Sequence, residues 1–290
     1  MKKKVIIRLQ GGLGNQLHQY AYGLLLAKKI NANLYFDKEF LTHHSKKLDI
    51  TLRDLEIIKF KINARFYKSI LSNQLLLSLL KRLKLNSIFN FFKMNIISNY
   101  TPLESLGNDS INFYYLDGIM GNIVDYQNDK AYLLENLKIN DDYIPLKNLA
   151  KSNIKESESV AIHIRRTDYL KAGSIHHVLD MDYYKRAMDY IESKFKNPTY
   201  YVFSDDKQFV KENFSGSTIQ ILNDVDKDVA FFDFLAIKSC KHYIIANSTF
   251  SWWAAYLGNT AESTTIAPSV CLTSQELDLK ITYPKNWIVF

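Results

Sequence analysis

Apolar and polar positions follow two rhythms in the first part of the chain. Residues 4–9 form a short apolar run, the glycine-rich stretch 10–14 interrupts it, and residues 33–36 form a second apolar run. Between the runs, apolar side chains recur every three or four positions, at Leu17, Tyr20, Ala21, Leu24 and Leu25. A strand, a turn, an amphipathic helix and another strand make a βαβ unit, which implies a parallel sheet covered by helices.

The second half of the chain repeats this alternation several times. Short apolar runs predict strands at 160–164, 200–203, 219–222, 243–246 and 265–267. Segments with helical spacing lie between them and predict helices at 182–194, 206–214, 229–239 and 250–257. Residues 147–159 are polar and unpatterned, so we place a linker there. The sequence therefore predicts an α/β protein of two doubly wound domains, residues 1–150 and 151–290.

The composition is that of a globular protein with room for two cores. Hydrophobic residues make up 47% of the 290 positions and charged residues 23%. The cysteines are Cys240 and Cys271, and no histidine stands at a zinc-ligand spacing from them, so neither a disulfide framework nor a structural metal is indicated. The apolar run after Lys4 is too short for a signal peptide, and no run approaches the roughly 18 residues of a membrane span. We expect a cytoplasmic protein.

The positive charge is concentrated in one segment. The chain carries a formal charge of +7, and residues 57–103 contain eight basic residues and no acidic one, which accounts for the whole excess. A nucleic acid partner is therefore not indicated. Within this segment, residues 75–85 are leucine-rich and cationic, which favours contact with anionic lipid. We favour a different interpretation, in which residues 75–85 form a helix that packs on its domain and leaves its lysines in solvent. The lipid interpretation predicts peripheral contact with the inner face of a membrane through residues 65–93.

Polar or glycine-rich loops follow the predicted strands. In parallel sheets, ligands bind beyond the carboxyl ends of the strands, where loops meet helix N-termini. The segments at these places are 10–16, 165–168, 204–206, 223–224 and 247–251. All five segments are expected at the edge of their sheet where the carboxyl ends of the strands lie. This predicts one polar cleft between two facing domains.

Two adjacent arginines directly follow the strand predicted at 160–164. Because neighbouring residues of a strand point to opposite faces, Arg165 is expected on the side of His163 and Arg166 on the other side. A guanidinium group is a rigid fork that matches phosphate oxygens, so we predict that Arg165 binds a diphosphate. Arg166 either assists it or pairs with an acid such as Asp168. In the competing interpretation, both arginines only form ion pairs with acids at the sheet edge, namely Asp168, Asp205 or Asp206.

The first glycine loop admits two interpretations. Gly12 and Gly14 lead into a helix, where backbone N–H groups can approach an anion closely. The stretch is not a complete GxGxxG motif, which disfavours a dinucleotide-dependent oxidoreductase, and glycines at such a place are often only a turn.

The other polar patterns are less specific. Ser248 and Thr249 open a helix and suit either a helix cap or a ligand contact. Trp252 and Trp253 are taken as core residues. Asp-x-Asp patterns stand at 180–182, 224–226 and 226–228, but none directly follows a predicted strand. No metal site is therefore predicted.

Taken in order, the motifs resemble those of bacterial α-1,2-fucosyltransferases of glycosyltransferase family 11. The carrying segments are 11–21, 163–169, 201–206, 239–254 and 284–289. The resemblance implies a GT-B-like fold of two facing Rossmann-like domains, the first on the acceptor side and the second binding the nucleotide sugar. It also implies inverting transfer of fucose from GDP-L-fucose to O2 of a galactose-type acceptor, in surface polysaccharide synthesis, with no cofactor or obligatory metal.

The resemblance also assigns roles to individual residues. It makes Arg165 the diphosphate ligand, with support from Arg166, and places His163, Asp168 and Asp233 in the nucleotide pocket. Our predicted catalytic residues are Arg165 and Asp168. Asp168 and Asp37 are the candidates for accepting the proton of the acceptor hydroxyl group; the alternative is a highly dissociative transition state, which needs little help from a base. The predicted nucleotide-sugar contacts are Gly12, Gly14, Asn15, His163, Arg165, Arg166, Asp205, Asp233, Asn247, Ser248, Thr249 and Phe250. Residues 116–127 match the family only loosely, and the acceptor is therefore not specified.

Other functions remain compatible with these residues. The nearest is a glycosyltransferase of the same fold that uses another nucleotide sugar or forms another fucosyl linkage. A dinucleotide-dependent oxidoreductase is disfavoured by the incomplete glycine motif. A non-enzymatic glycan-binding or phosphate-binding module would be unusually large at two domains.

Overall fold

The computed structural model divides the chain into two compact units, Met1–Asn140 and Asp141–Phe290. Each unit contains its own parallel sheet with helices. The described residues are 2–41, 54–63, 65–82, 91, 93–98, 100–107, 110–120, 122–126, 128–154, 158–171, 177–216, 218–222, 228–270 and 282–290.

In the described part of the first unit, five strands pair in parallel in the order β3-β2-β1-β5-β4. The strands are β1 (Lys4–Arg8), β2 (Asn33–Asp37), β3 (Arg65–Phe66), β4 (Met94–Ile97) and β5 (Phe113–Leu116). The helices are α1 (Leu13–Lys29), α2 (Gln74–Arg82) and α3 (Lys130–Asn136). Both predicted strands and the helix between them are confirmed, whereas β3, β4 and β5 were not predicted.

In the described part of the second unit, six strands pair in parallel in the order β11-β10-β9-β6-β7-β8. The strands are β6 (Ser159–Ile164), β7 (Thr199–Ser204), β8 (Ile219–Ile221), β9 (His242–Ile244), β10 (Thr265–Ala267) and β11 (Ile288–Val289). The helices are α4 (Ile144–Asn153), α5 (Thr167–Lys171), α6 (Met181–Lys194), α7 (Lys207–Asn213), α8 (Val229–Ser239) and α9 (Thr249–Gly258). Every strand and helix predicted here is present, with ends within two residues of the prediction.

The predicted linker at 147–159 is wrong in its first half, because α4 (Ile144–Asn153) occupies it. This helix packs against α8, and the rings of Tyr143 and Phe231 meet at its start with centroids 5.2 Å apart. Ala150 is the one residue of α4 that is fully buried. A surface helix with so little buried area lacks a clear apolar periodicity, and its sequence is therefore hard to tell from a linker.

Both sheets are covered by apolar helices. Trp252 and Trp253 of α9 are 5% and 0% exposed, which confirms them as core residues. In the first unit, Leu77 of α2 is buried in a cluster with Ile6 and Tyr115. The helix predicted from residue 75 is therefore packed on its own domain, although residues 83–85 lie outside the described part. Within the described residues, no helix has the length and apolarity that a membrane crossing requires.

Each sheet has a point where the order of the strands reverses. In the second sheet, the chain runs from β6 to β7 and β8 on one side and returns to β9 on the other side of β6. In the first sheet, β1 lies between β2 and β5 in the same way. Loops that leave adjacent strands in opposite directions open a crevice, and such switch points are the usual ligand sites of parallel sheets.

Candidate functional site

The two arginines after β6 diverge as the strand alternation predicts. Arg165 forms an ion pair with Asp168, and its Nη1 lies 3.3 Å from Oδ2 of Asp205. The Nε of Arg166 lies 3.3 Å from Oδ2 of Asp206, so its acidic partner is Asp206 and not Asp168. The guanidinium carbon of Arg166 also lies 3.9 Å from the ring centroid of Phe209. The ion pairs expected in the competing interpretation are therefore present.

The acids after β7 organise this loop. Oδ1 of Asp205 accepts a hydrogen bond of 3.0 Å from the backbone N–H of Arg166. Its Oδ2 accepts from the N–H and the hydroxyl of Thr167, at 3.3 and 2.6 Å. Asp206 caps α7, because its carboxylate accepts from the N–H of Phe209 at 3.0 Å. Arg165 is thus held at a fixed place, while its side chain remains 24% exposed.

His163 is a buried, neutral imidazole beside the arginine loop. Burial, together with the positive charge of Arg165, lowers the pKa of His163 to about 3. The ring centroids of His163 and Phe250 are 5.5 Å apart, which connects the end of β6 to the start of α9. Among the described residues, Nδ1 of His163 has no hydrogen-bond partner.

The loop after β9 is tied to the arginine loop. The hydroxyl of Tyr169 in α5 donates to the carbonyl of Asn247 at 2.9 Å. The buried side chain of Asn247 donates to the carbonyl of His177 at 2.7 Å. Ser248 caps α9, since its hydroxyl accepts from the N–H of Phe250 at 3.4 Å. Thr249 follows in the first turn. The N-terminus of a ten-residue helix, with its partial positive charge, thus lies on the loop next to that of Arg165.

A cavity of about 330 Å³ lies between the end of β7, β8 and the starts of α7 and α8. Its walls are mostly apolar, and its polar groups are Ser204, Lys207, Lys211 and Asp233. Burial raises the pKa of Asp233 to about 7, while the positive charge of Lys207 opposes the shift. Because Lys207 directly follows the capping residue Asp206, the cavity adjoins the arginine loop. A pocket of this size with few polar groups suits a flat heterocycle.

In the first unit, the glycine loop forms a tight turn into α1. Gly11 has a left-handed φ of +74°, and a Cβ there would clash with the side chain of Asn15. Gly12 is the N-cap of α1, in an extended conformation without a side-chain cap. Gly14 is buried in the first turn, and Asn15 is half-buried. The turn requires a glycine at position 11, and the start of α1 lies at the switch point of the first sheet.

The buried amide of Gln16 fixes this turn to residues 54–57. Its Nε2 donates to the carbonyls of Gly11 and Asp54, at 2.9 and 2.8 Å. Its Oε1 accepts from the N–H groups of Glu56 and Ile57, at 2.9 and 3.0 Å. The glutamine of the sequence motif is therefore a structural residue here.

The sequence did not predict a buried ion pair between Arg8, at the end of β1, and Asp117, after β5. The guanidinium group donates to Asp117, and its carbon lies 4.5 Å from the ring centroid of Phe40. The side chains of Arg8 and Asp117 are 6% and 5% exposed. Nε and Nη2 of Arg8 have no hydrogen-bond partner within the described residues. The sequence offered one signal for this ion pair, namely that a charged residue, Arg8, stands at the end of an apolar strand.

Asp37, a candidate proton acceptor, is fully buried and well hydrogen-bonded. Its Oδ1 accepts from the N–H of Glu39 at 3.0 Å. Its Oδ2 accepts from the hydroxyls of Tyr115, at 2.7 Å, and Ser72. Asp37 therefore holds the end of β2 in place.

The aspartate pairs do not assemble a metal site in the described residues. Asp180 caps α6 by accepting from the N–H of Tyr183 at 3.0 Å, and Asp182 is exposed. Asp224 and Asp226 lie outside the described residues, as does the loop at 223–224. Where the structure describes the chain, no group of three His, Cys, Asp or Glu residues could hold a metal ion. Metal independence stays a prediction.

Comparison with known proteins identifies relatives over the whole length. The profile of "Glycosyl transferase family 11" matches residues 1–290. An "Alpha-1,2-colitosyltransferase" of Escherichia coli is 29% identical over 308 aligned positions, covering 98% of both chains. The "O-antigen biosynthesis glycosyltransferase WbnK" of Escherichia coli is 30% identical, covering 90% of this chain and 92% of that protein. A "Galactoside alpha-(1,2)-fucosyltransferase 1" of Bos taurus is 32% identical over 108 residues, which is 36% of this chain and 30% of that protein.

Solved structures share the fold at low sequence identity. The NodZ α-1,6-fucosyltransferase co-crystallized with GDP is 11% identical, with a TM-score of 0.54 over 88% of this chain and 92% of that one. A mutant of Arabidopsis thaliana FUT1 in complex with GDP is also 11% identical, with a TM-score of 0.54 over 97% and 73% of the two chains. These likenesses and the two parallel sheets confirm the predicted α/β, GT-B-like fold class with Rossmann-like sheets.

Proposed function

This chain belongs to glycosyl transferase family 11, and we propose that it is a galactoside 2-α-L-fucosyltransferase. It transfers L-fucose from GDP-L-fucose to O2 of a galactose-type residue on a glycan and inverts the anomeric configuration. The names of the two full-length relatives support α-1,2 transfer and a place in O-antigen or other surface polysaccharide synthesis. The first unit contributes the acceptor side and the second unit the nucleotide-sugar side.

The observation that carries this proposal is the position of Arg165. It lies at the switch point of the second sheet, fixed by Asp168 and Asp205 and next to the N-terminus of α9. When GDP leaves, negative charge develops on the diphosphate. A guanidinium group and helix N–H groups that are already in place stabilise this charge without reorganisation. Arg165, Ser248 and Thr249 are therefore the diphosphate-binding set.

The ion pairs of the arginine loop are compatible with this role. Arg165 and Arg166 face three acids, Asp168, Asp205 and Asp206, so the loop has no positive excess of its own. Asp205 and Asp206 are committed to backbone N–H groups as caps, whereas Asp168 is half-exposed. We propose that the diphosphate takes the place of Asp168 on the guanidinium fork. The released carboxylate of Asp168 then accepts the proton of the attacking hydroxyl group.

We assign the guanine base to the cavity beside the arginine loop. Guanine presents N1–H and an amino group on one edge, and both donors suit the carboxylate of Asp233. The apolar walls cover the faces of the base. Uracil offers one N–H between two carbonyl oxygens, and a carboxylate would repel these oxygens. The assignment predicts protection of the fold against heat by GDP but not by UDP.

The binding of GDP is expected to depend on pH through Asp233. Its pKa is about 7 in the free protein, and only the charged carboxylate has both oxygens free to accept the two hydrogen bonds from guanine. The charged fraction is lost as the pH falls through this value, so affinity falls with it. Calorimetric titration should show about tenfold weaker binding at pH 6 than at pH 8.

The control for this titration is the Asp233→Asn protein. The diphosphate also titrates in this range and affects both proteins equally, so the relevant quantity is the difference between their profiles. The variant should bind weakly at pH 8 and show a smaller dependence on pH. Profiles of the same shape in both proteins would contradict the assignment of Asp233.

The function is tested by incubating the protein with GDP-L-fucose and a panel of galactosides. The expected product carries fucose in α linkage on O2 of galactose, which NMR identifies from the anomeric coupling and the through-bond correlations. A β linkage or attachment to another oxygen would overturn the proposal. Hydrolysis of the donor without an acceptor would exclude a mere binding module, and tight binding of NADH would favour the oxidoreductase instead.

The similarity to the α-1,2-colitosyltransferase, at 29% identity over 98% of both chains, supports a second candidate donor, a GDP sugar that carries colitose. Colitose is fucose without the 3-hydroxyl group, so both sugars would present the same leaving group to Arg165. Competition between the two GDP sugars for one acceptor distinguishes them. A site that hydrogen-bonds the 3-hydroxyl group prefers GDP-L-fucose strongly, because a buried polar group would otherwise be left unpaired.

A further inference from the structure

The edge strand of the first sheet carries an exposed surface that is both basic and apolar. We call it the β3 edge surface. It comprises Lys4, Arg65, Phe66, Tyr67, Lys68 and Ile70. It belongs to neither the glycine loop nor the Arg8 ion pair, and the fucosyl transfer proposed above assigns no role to its residues. All its members except Lys4 fall in the segment 57–103, which has no acidic residue.

The apolar members of the surface are unusually exposed. Ile70 is 77% exposed, Phe66 47% and Tyr67 36%. Ile70 is held outwards by a rigid turn, since the hydroxyl of Ser69 accepts from the N–H of Leu71 at 3.1 Å and that of Ser72 accepts from the N–H of Ser69 at 3.0 Å. Leu71 is buried in the core of the unit, which anchors the turn. An exposed isoleucine on a fixed turn indicates a partner with an apolar phase.

The basic members surround these rings. Nζ of Lys4 lies 5.2 Å from the ring centroid of Tyr67. The side chain of Lys68 is 75% exposed, and its Nζ lies 3.1 Å from Oε2 of Glu39. Arg65 is exposed on the edge strand itself. Nζ of Lys38 lies 5.0 Å from the ring centroid of Phe66. Glu39 offsets one of these positive charges, and the surface keeps a net positive charge around an apolar centre.

We propose that the β3 edge surface docks the protein on an anionic lipid bilayer. Ile70, Phe66 and Tyr67 enter the interfacial region, and the basic side chains contact the headgroups. A second copy of the chain is a poor occupant, because two identical basic edges repel each other. A nucleic acid would use the charges and rings but offers no apolar phase to Ile70. A lipid bilayer satisfies both the charge and the exposed aliphatic side chain.

Vesicle sedimentation with the whole protein tests this proposal. The probes are vesicles of phosphatidylcholine with phosphatidylglycerol and vesicles of phosphatidylcholine alone. We expect binding to the anionic vesicles. The Ile70→Ser protein should bind them about tenfold more weakly because an aliphatic side chain no longer leaves water. Reversal of charge in the Arg65→Glu/Lys68→Glu protein should weaken binding at least tenfold.

Matched variants separate this surface from general effects. Leu134 on α3 is 39% exposed, so Leu134→Ser removes a similar side chain elsewhere on the same unit. Lys185 and Lys196 are exposed on the second unit, and the Lys185→Glu/Lys196→Glu protein changes the net charge equally there. Both controls should bind vesicles like the wild type. All variants should retain their thermal unfolding temperature and their stabilisation by GDP, which reports the second unit.

Three results would overturn the proposal. The first is that the wild-type protein does not sediment with anionic vesicles, or sediments equally with neutral ones. The second is that the Ile70 and Arg65/Lys68 variants bind no more weakly than the two controls. The third is that a single-stranded RNA displaces the protein from vesicles and that its binding depends on Arg65 and Lys68 but not on Ile70, which would identify a nucleic acid surface.

Discussion

Replacement of Arg165 by alanine is expected to lower the turnover number at least a hundredfold. The guanidinium group lies at the switch point of the second sheet, and its ion pairs hold it ready for a diphosphate. Loss of one preorganised donor that stabilises developing charge costs about 3 kcal/mol in the transition state. Arg165→Lys should recover only part of the loss, since an ammonium group is not a two-pronged donor. Initial rates with GDP-L-fucose and a galactoside acceptor at saturation measure the effect.

A control is needed because Arg165 also neutralises Asp168 and Asp205. Thermal unfolding shows whether the variant remains folded, and binding of guanosine, which carries no diphosphate, shows whether the pocket for the base is intact. Arg186→Ala removes an arginine that lies on α6 with its guanidinium carbon 5.7 Å from the ring centroid of Phe290, and should leave turnover unchanged. A folded Arg165→Ala protein with turnover within twofold of the wild type would leave only the ion-pair interpretation of this residue.

Replacement of Asp117 by alanine is expected to lower the free energy of unfolding by about 3–5 kcal/mol. The substitution leaves the guanidinium group of Arg8 buried at the carboxyl end of β1 without its acidic partner. The aromatic ring of Phe40 compensates only part of the lost interaction. Urea unfolding followed by circular dichroism measures the change.

The Arg8→Met/Asp117→Leu protein is the informative partner of this variant. Exchange of both charges for apolar groups removes the desolvation cost together with the attraction, so the double variant should be clearly more stable than Asp117→Ala. Asp37 keeps its own hydrogen bonds from Tyr115, Ser72 and Glu39 in both proteins. A double variant as unstable as the single one would show that the ion pair itself, and not the uncompensated charge, stabilises this edge of the sheet.

The strands and helices of the second unit followed from local patterns. Their apolar residues repeat every two or every three to four positions, and the caps stand at the helix starts, as Ser248 and Asp206 do. Two of the failures, at β3 and α4, occurred where this pattern is weak. The strand β3 has two residues, both exposed, and α4 buries one residue fully, so neither has the periodicity that identifies a buried face.

For the candidate site, too, local patterns predicted some features and not others. The alternation of a strand separated Arg165 from Arg166, and the position of the loops after strands indicated which residues meet at a switch point. The partners of the charged groups could not be derived in this way. Arg166 pairs with Asp206, which is 40 positions away, and Arg8 pairs with Asp117, which is 109 positions away. These pairs depend on which strands are neighbours.

The sequence by itself determined the α/β class, most elements of the second unit, the family resemblance and the strand-end loops that supply the candidate site. The tertiary structure decided the order of the strands and the acid that each arginine meets. It also decided that Asp37 is committed to structure, that Asp233 borders a cavity and that Ile70 is exposed. The physical reason is the range of the forces: periodicity and capping act within one turn or strand, whereas burial and ion pairing depend on groups that only the folded chain brings together.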